Sequence, residues 1–264
     1  MPTYKLILAY DGGKYAGWQR QPHATAVQNV LEAALVQIAG DEVRTTGSSR
    51  TDAGVHAFGQ LVSLTLDKDM PGDALRRALN AVLPNDVFVR SAEIAPVDFD
   101  AIRATTGKRY RYVLRDGQER GIFDRRYAWH VRTPLDAAAM HAAGQALVGE
   151  HDFASFQSVG SERQSTVRTI YELSVRRGDA GLLAMPVAVS EPDAARGDLV
   201  AIEVAGNGFL YNMVRAIVGT LVEVGRGRRS VDWPREVLAA RDRATAGQTA
   251  PPHGLFLLHV DATD

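Results

Sequence analysis

The first ninety residues alternate between strand and helix patterns, and their order limits the fold more than any other feature of the sequence. Residues 3–10 alternate apolar and polar side chains, as a half-buried strand does. Helical spacing follows at residues 27–38 and 75–83, and strand patterns lie near residue 43, at 60–66 and at 87–89. The resulting order, βαββαβ, is the ferredoxin-like pattern that many RNA-binding sheet domains share.

Local signals set the expected ends of the two helices. Thr25 and Gln28 have the spacing of a capping box, which predicts the start of the first helix, and Gly40 predicts its end. The second helix is expected to stop at Pro84, because proline cannot continue a helix.

A second set of alternating patterns begins at residue 108. Residues 108–115 form an expected strand with Tyr110 and Tyr112 on one face and arginines on the other. We further expect a helix from about Asp136 to Gly149, strands at 169–176, 182–189, 199–204 and 255–260, helices at 209–224 and 233–240, and a hairpin loop at 191–197. The sequence therefore predicts an α+β protein of two ferredoxin-like halves, residues 1–105 and 106–264, with a seam near residues 99–107.

Several function classes are excluded by what the 264 residues lack. Without cysteine there is no disulfide framework, no thiol nucleophile and no thiolate zinc site. The seven histidines show no paired metal-ligand spacing, and P-loop, dinucleotide and nucleophile-elbow motifs are missing. We expect no metal and no cofactor. There is no signal-peptide pattern and no apolar run long enough for a membrane span, so we expect a cytoplasmic protein without a membrane partner.

The charge is unevenly distributed although the net charge is only −1. Residues 101–132 hold nine basic and three acidic side chains, and residues 226–243 hold six arginines against three acids. Arginine suits phosphate contacts and stacking on bases. Such clusters can equally be solvated surface arginines, and charge alone leaves both interpretations open.

Three residues could carry chemistry. Asp52, in the loop 47–56 beside Arg50, is either a turn former or a carboxylate kept ionised for catalysis. Tyr110, in the basic stretch at residues 101–132, either packs in the core or offers its ring for a nucleic-acid base to stack on. Arg215 is the only charge in the middle of an apolar helix, so it either reaches the surface or needs an acidic partner, for which Asp52 is the candidate.

Over nearly its whole length the chain resembles the bacterial tRNA pseudouridine synthase A family. The matching segments are Tyr10-Asp11-Gly12 with Trp18-Gln19-Arg20, Arg50-Thr51-Asp52-Ala53-Gly54-Val55-His56-Ala57, Leu79-Asn80, Leu83-Pro84, Tyr110-Arg111-Tyr112, His151-Asp152-Phe153, Met213-Val214-Arg215-Ala216-Ile217-Val218-Gly219 and residues 250–257. One departure is Ser49, where members often have glycine, and a small change of loop geometry is expected there.

The resemblance implies a pseudouridine-synthase fold with the active-site cleft between its halves. It implies isomerisation of uridine to pseudouridine at positions 38–40 of the tRNA anticodon stem–loop, by a homodimer that needs neither metal nor cofactor. Asp52 would be the nucleophile and Arg215 its ion-pair partner, and Tyr110 would lie against the uracil and could deprotonate it. Arg50 and His56 would be further substrate contacts. The sequence does not choose between attack of Asp52 on the substrate and removal of a sugar proton.

Two other functions remain open from the sequence. A non-catalytic RNA-binding or RNA-folding module would use the same basic stretches and aromatic strand. It would have no need for Asp52, Tyr110 and Arg215 together. A metabolite-binding regulator of ferredoxin-like fold would have no use for the cluster of basic residues.

Overall fold

The protein is described from a computed structural model, in which residues 1–158, 165–183 and 198–263 are described. The chain forms two compact units. The first contains Met1–Lys108 and Phe256–Asp264, and the second contains Arg109–Leu255. The sequence predicts a boundary between residues 105 and 106. It also places residues 256–264 in the second half, whereas they belong to the first compact unit.

The described residues contain ten strands and five α-helices. The strands are β1 (Thr3–Tyr10), β2 (Thr45–Gly47), β3 (His56–Thr65), β4 (Val87–Ala95), β5 (Thr105–Asp116), β6 (Trp129–Val131), β7 (Gly149–Asp152), β8 (Val167–Gly178), β9 (Leu199–Gly206) and β10 (Leu255–Ala262). The helices are α1 (Val27–Ala39), α2 (Gly72–Val82), α3 (Ala137–Gly144), α4 (Met213–Gly225) and α5 (Trp233–Ala240). This mixture of sheet and helix confirms the predicted α+β class.

In the first unit the strands lie in the order β4-β1-β3-β10, with β2 paired to β3. β1 is antiparallel to both neighbours, and Leu6 lies opposite Val62 on β3. β10 runs parallel to β3, with Phe256 opposite His56. The predicted order βαββαβ is therefore confirmed for residues 3–95, and the last strand of the chain is added to it.

In the second unit the strands lie in the order β5-β9-β8-β7, with β6 parallel to β5. Both faces of β5 are covered in its middle, since Tyr112 and Val113 are fully buried and Arg111 is only 1% exposed. Helix α4 is buried along most of its length, as its apolar sequence predicted. The predicted bounds of α5 are confirmed.

Some local predictions were wrong. Thr25 does not cap α1: the cap is Ala26, whose N–H donates to Asn29 Oδ1 at 3.1 Å, and Gly40 ends the helix in the left-handed region as predicted (φ 89°). The Gln28 amide instead donates to the carbonyl oxygen of Thr45 at 2.9 Å. The Gln28 side chain, which local spacing predicts in the capping box, therefore binds a partner that is distant in sequence.

Short or partly described segments account for the other differences. β6 and β7 have three and four residues, too few for a periodic signal, and the sequence did not predict them. Of the strand expected at 182–189, the first two residues lie in a 3₁₀ turn, Ala180–Leu183, and the rest lies outside the described residues. The hairpin loop expected at 191–197 also lies outside them.

Candidate active site

Asp52 lies in the loop that joins β2 to β3, and the segment between β1 and α1 supports this loop. The Tyr10 hydroxyl and Thr51 Oγ1 are 2.8 Å apart and hydrogen-bonded in the interior. The main-chain N–H of Trp18 donates to the Thr51 carbonyl oxygen at 3.0 Å, and Trp18 is 1% exposed. The residue before Asp52 is therefore held at both its side chain and its main chain.

Glycines let the supporting segment approach the loop backbone to backbone. A Cβ at Gly17, where φ is 96°, would lie 2.4 Å from the Thr51 carbonyl oxygen. A Cβ at Gly12 would lie 1.9 Å from the Val55 carbonyl oxygen. Both distances are far below van der Waals contact, so only glycine fits at these positions. The sequence signal is a pair of glycines near Tyr10 and Trp18, but glycines in a sequence do not show which backbone they approach.

The turn at Asp52 is closed by the main chain. The Val55 N–H donates to the Asp52 carbonyl oxygen at 3.1 Å, and Gly54 adopts a positive φ of 78°. The Asp52 side chain is partly exposed and that of Arg50 is exposed. The main chain therefore sets the path of the loop on both sides of Asp52.

His56, expected as a substrate contact, is buried in the first unit with 3% of its surface exposed. Its Nδ1 lies 3.1 Å from the Gly12 nitrogen and 3.0 Å from Asp11 Oδ1. Its ring stacks on Phe256, with 4.9 Å between centroids. These contacts join the end of the Asp52 loop to the start of its supporting segment.

Gln60 also supports the Asp52 loop, and the sequence does not predict this role. Its side chain is fully buried, and its amide pairs with both main-chain groups of Ser49: Oε1 accepts from the Ser49 N–H and Nε2 donates to the Ser49 carbonyl oxygen. The signal was a polar residue in phase with Val62 and Leu64, on the buried face of the strand. Ser49 itself has no positive φ, so serine fits here without backbone strain.

Tyr110 lies on β5 in the second unit and is 8% exposed. Its ring meets Phe209 edge to face, with centroids 5.3 Å apart and planes at 89°. Such a pair fixes the ring orientation.

Arg215 lies in the first turn of α4 and is held by groups from two directions. Its Nε donates to the Ala250 carbonyl oxygen at 2.7 Å, and its Nη1 donates to Asn212 Oδ1 at 2.6 Å. Tyr112 lies nearby, and its hydroxyl donates to the Pro251 carbonyl oxygen at 2.7 Å. Burial raises the pKa of Tyr112 well above its usual value, and the charge of Arg215 acts in the opposite direction. At neutral pH this hydroxyl is therefore protonated and can donate.

Three arginines of the predicted basic cluster at residues 101–132 pair with acids. Arg111 pairs with Glu203 at 2.7 Å, and Arg115 pairs with Asp124 at 2.5 Å. Arg109 pairs with Glu172 at 2.7 Å. These arginines stabilise the second unit, whereas Arg120, Arg125, Arg126 and Arg132 are exposed.

Within residues 1–158, 165–183 and 198–263, no three His, Asp or Glu side chains cluster in a way that could hold a metal ion. In that part of the chain no helix has the length and apolar character needed to cross a membrane.

Comparison with known proteins gives consistent matches. The sequence profile of a family described as tRNA pseudouridine synthase matches residues 6–102 and 143–261. Proteins named tRNA pseudouridine synthase A are 44% identical in Brevibacillus brevis, 43% in Geobacter sulfurreducens and 40% in Acetivibrio thermocellus, each over 98% of this chain and 99% of the relative.

A solved archaeal box H/ACA sRNP Nop10-Cbf5 complex is a distant structural match. Its TM-score is 0.39 at 11% identity, over 98% of this chain and 49% of that one, which is too low to support an argument. The family profile and the full-length relatives are sufficient: the chain belongs to the tRNA pseudouridine synthase family.

Proposed function

We propose that this protein isomerises uridine to pseudouridine at positions 38–40 of the tRNA anticodon stem–loop, and that it does so in the cytoplasm as a homodimer. The carrying observation is the Asp52 loop: a partly exposed carboxylate on a turn whose neighbours are fixed by Tyr10, Trp18 and Gln60. The tRNA substrate is supported by the family. The positions and the homodimer rest on the resemblance alone.

The reaction makes defined demands on such a site. The N1–C1′ glycosidic bond breaks, the uracil turns and C5 joins C1′, and the proton that leaves C5 is balanced by one that N1 takes up. The change is redox-neutral and adds no external group. Because the target atoms are shielded by stacking, the nucleotide must leave the stack first.

Each candidate residue has a role in this scheme. Asp52 is the nucleophile, and Arg215 is the cation that favours its ionised form. Tyr110 offers a ring of fixed orientation to the uracil and is the candidate base for the C5 proton. Arg50, exposed two residues before Asp52, holds the displaced nucleotide. The burial of His56 favours a role in supporting the loop instead of touching RNA.

Replacement of Asp52 tests the proposal. With unmodified tRNA transcribed in vitro, Asp52→Asn should lower turnover by about 10³-fold or more, as loss of a nucleophile does. Binding of tRNA should stay within about threefold, because the two side chains have nearly the same shape. Pseudouridine is mapped by chemical labelling and primer extension, and binding is measured by filter retention.

Asp41→Asn is the matched control, since Asp41 is exposed beyond the end of α1 and should leave both quantities unchanged. Wild-type turnover in Asp52→Asn would refute the role of Asp52. If the unaltered protein bound tRNA in a salt-sensitive way and formed no pseudouridine, the RNA-binding alternative would replace the proposal.

A further inference from the structure

Asn212 has an unusual backbone conformation at a functionally important place. It precedes α4, and its φ of 60° and ψ of 9° lie in the left-handed region. Among the described residues only Arg241 is a second non-glycine residue with positive φ. Asparagine tolerates this region better than most residues, yet it still carries a cost there. Such strain is often kept where a side chain is needed in one direction.

The side chain of Asn212 does not do what its position predicts. Asparagine at the N-cap usually accepts a hydrogen bond from a backbone N–H in the first turn of the helix. Asn212 makes no such bond. Its Oδ1 accepts instead from Nη1 of Arg215, the third helical residue, at 2.6 Å.

The other end of the Asn212 amide is also occupied. Its Nδ2 donates to Ser158 Oγ at 3.0 Å. The Ser158 N–H in turn donates to the carbonyl oxygen of Tyr211 at 3.1 Å. Ser158 is therefore tied to the same turn, and because the guanidinium can only donate, the oxygen end of the amide faces Arg215.

Two hydrogen bonds from different nitrogens set the plane of the Arg215 guanidinium. One runs from Nε to the main chain at Ala250, whose N–H also donates to the Arg215 carbonyl oxygen at 3.1 Å. The other runs to Asn212. Because the guanidinium is planar, two fixed N–H groups leave little freedom in where its remaining donors point.

We propose that Asn212 is a positioning residue, which holds the Arg215 guanidinium in the orientation that turnover requires. This inference rests on the proposed function, in which Arg215 acts on the charge of Asp52. Asn212 is not itself a group that touches the substrate. Its effect passes through Arg215.

Glycine and histidine at position 212 separate the side chain from the backbone. Asn212→Gly keeps the left-handed conformation without steric penalty and removes the acceptor. We expect its kcat on tRNA to fall by about 10- to 100-fold, the range expected for a misplaced group, with KM within about twofold and an unchanged melting temperature. Asn212→His tolerates the left-handed region and offers a neutral acceptor, Nδ1, to Nη1 of Arg215, so it should recover kcat to within about threefold of the unaltered protein.

Arg241→Gly is the matched backbone control for stability, because Arg241 has the same conformation on the surface at the end of α5. Its melting temperature shows what glycine at such a position does without any effect on Arg215. A wild-type kcat in Asn212→Gly would overturn the inference, as would an Asn212→His variant no better than Asn212→Gly. So would a kcat loss that is accompanied by a large drop in melting temperature and disappears at lower assay temperature.

Arg215→Ala, measured in the same assay, separates this inference from the proposed function. If Arg215→Ala keeps the wild-type rate, the proposed role of Arg215 fails. If Arg215→Ala loses turnover and Asn212→Gly does not, only the positioning role of Asn212 fails.

Discussion

At the scale of single residues, Ser49 stands directly before the Arg50-Thr51-Asp52 motif. Its main chain is paired with Gln60, and its side chain is 1% exposed. Among the described residues its Oγ is buried with no hydrogen-bond partner. A buried hydroxyl without a partner loses its hydration and gains nothing in return, so it destabilises the folded state.

Ser49→Ala should therefore raise the free energy of unfolding by about 1 kcal/mol. Urea unfolding measures this change. Ser155→Ala is the matched comparison, because the Ser155 hydroxyl is equally buried but donates to the Val237 carbonyl oxygen at 2.6 Å. Ser155→Ala should lower the free energy of unfolding by about 1 kcal/mol. If both variants lost stability alike, the Ser49 hydroxyl would have a partner after all.

At the scale of elements, an ion pair links the ends of two strands that are not neighbours. Asp116 ends β5, and Arg177 lies near the end of β8, with β9 between them. Arg177 donates from both terminal nitrogens to the Asp116 carboxylate, at 2.7 and 2.8 Å. The Leu135 N–H also donates to Asp116, which ties the segment before α3 to the same group.

Burial alone would raise the pKa of the Asp116 carboxyl, but the hydrogen bonds from Arg177 and Leu135 outweigh it, and the pKa is lowered. A carboxyl with a lowered folded pKa stabilises the fold above its unfolded pKa of about 4. This stabilisation is lost as the pH falls through the lower folded pKa.

Asp116→Asn should accordingly lower the free energy of unfolding by about 3 kcal/mol at pH 7, because it leaves the Arg177 charge without its carboxylate. The difference from the unaltered protein should stay constant down to about pH 5 and shrink below about pH 4. Urea unfolding at several pH values measures it. Asp73→Asn on α2 is the control, since Asp73 also faces two arginines but is exposed, and a much smaller loss of stability is expected because solvent screens its ion pairs. A difference that did not depend on pH would contradict the argument.

At the scale of the whole molecule, the arrangement of charge matters more than the net value of −1. Acids of the second unit neutralise Arg109, Arg111 and Arg115, so these side chains are poor candidates for phosphate contacts. The exposed arginines at 120 and 126 remain as candidates.

Replacing both Arg120 and Arg126 by alanine should weaken tRNA binding and reduce the slope of log affinity against log salt by about 1 to 2, since fewer counterions are released. Filter binding from low to moderate salt measures the slope. Glu119→Gln, an exposed acid beside Arg120, should not weaken binding. An unchanged slope in the double variant would move the RNA-binding surface elsewhere. This prediction depends on the proposed tRNA substrate.

Patterns in the sequence were enough to predict the class of fold and the family. Local periodicity was sufficient for β1 and α5, whose bounds were predicted to the residue. Alternation of apolar side chains is a local property that survives in the final structure wherever an element is long enough. The motif around Asp52 and the helix of Arg215 were sufficient to identify the family.

The tertiary structure alone decided which groups meet. Arg111 reads as a surface arginine but is buried against Glu203, 92 residues away in sequence. The Gln28 side chain donates to a carbonyl oxygen on β2 instead of forming the predicted capping box. The Asn212 side chain accepts from Arg215 instead of from a backbone N–H of its own helix. A buried polar group takes whichever partner the packed chain brings within reach, and sequence spacing does not record that distance.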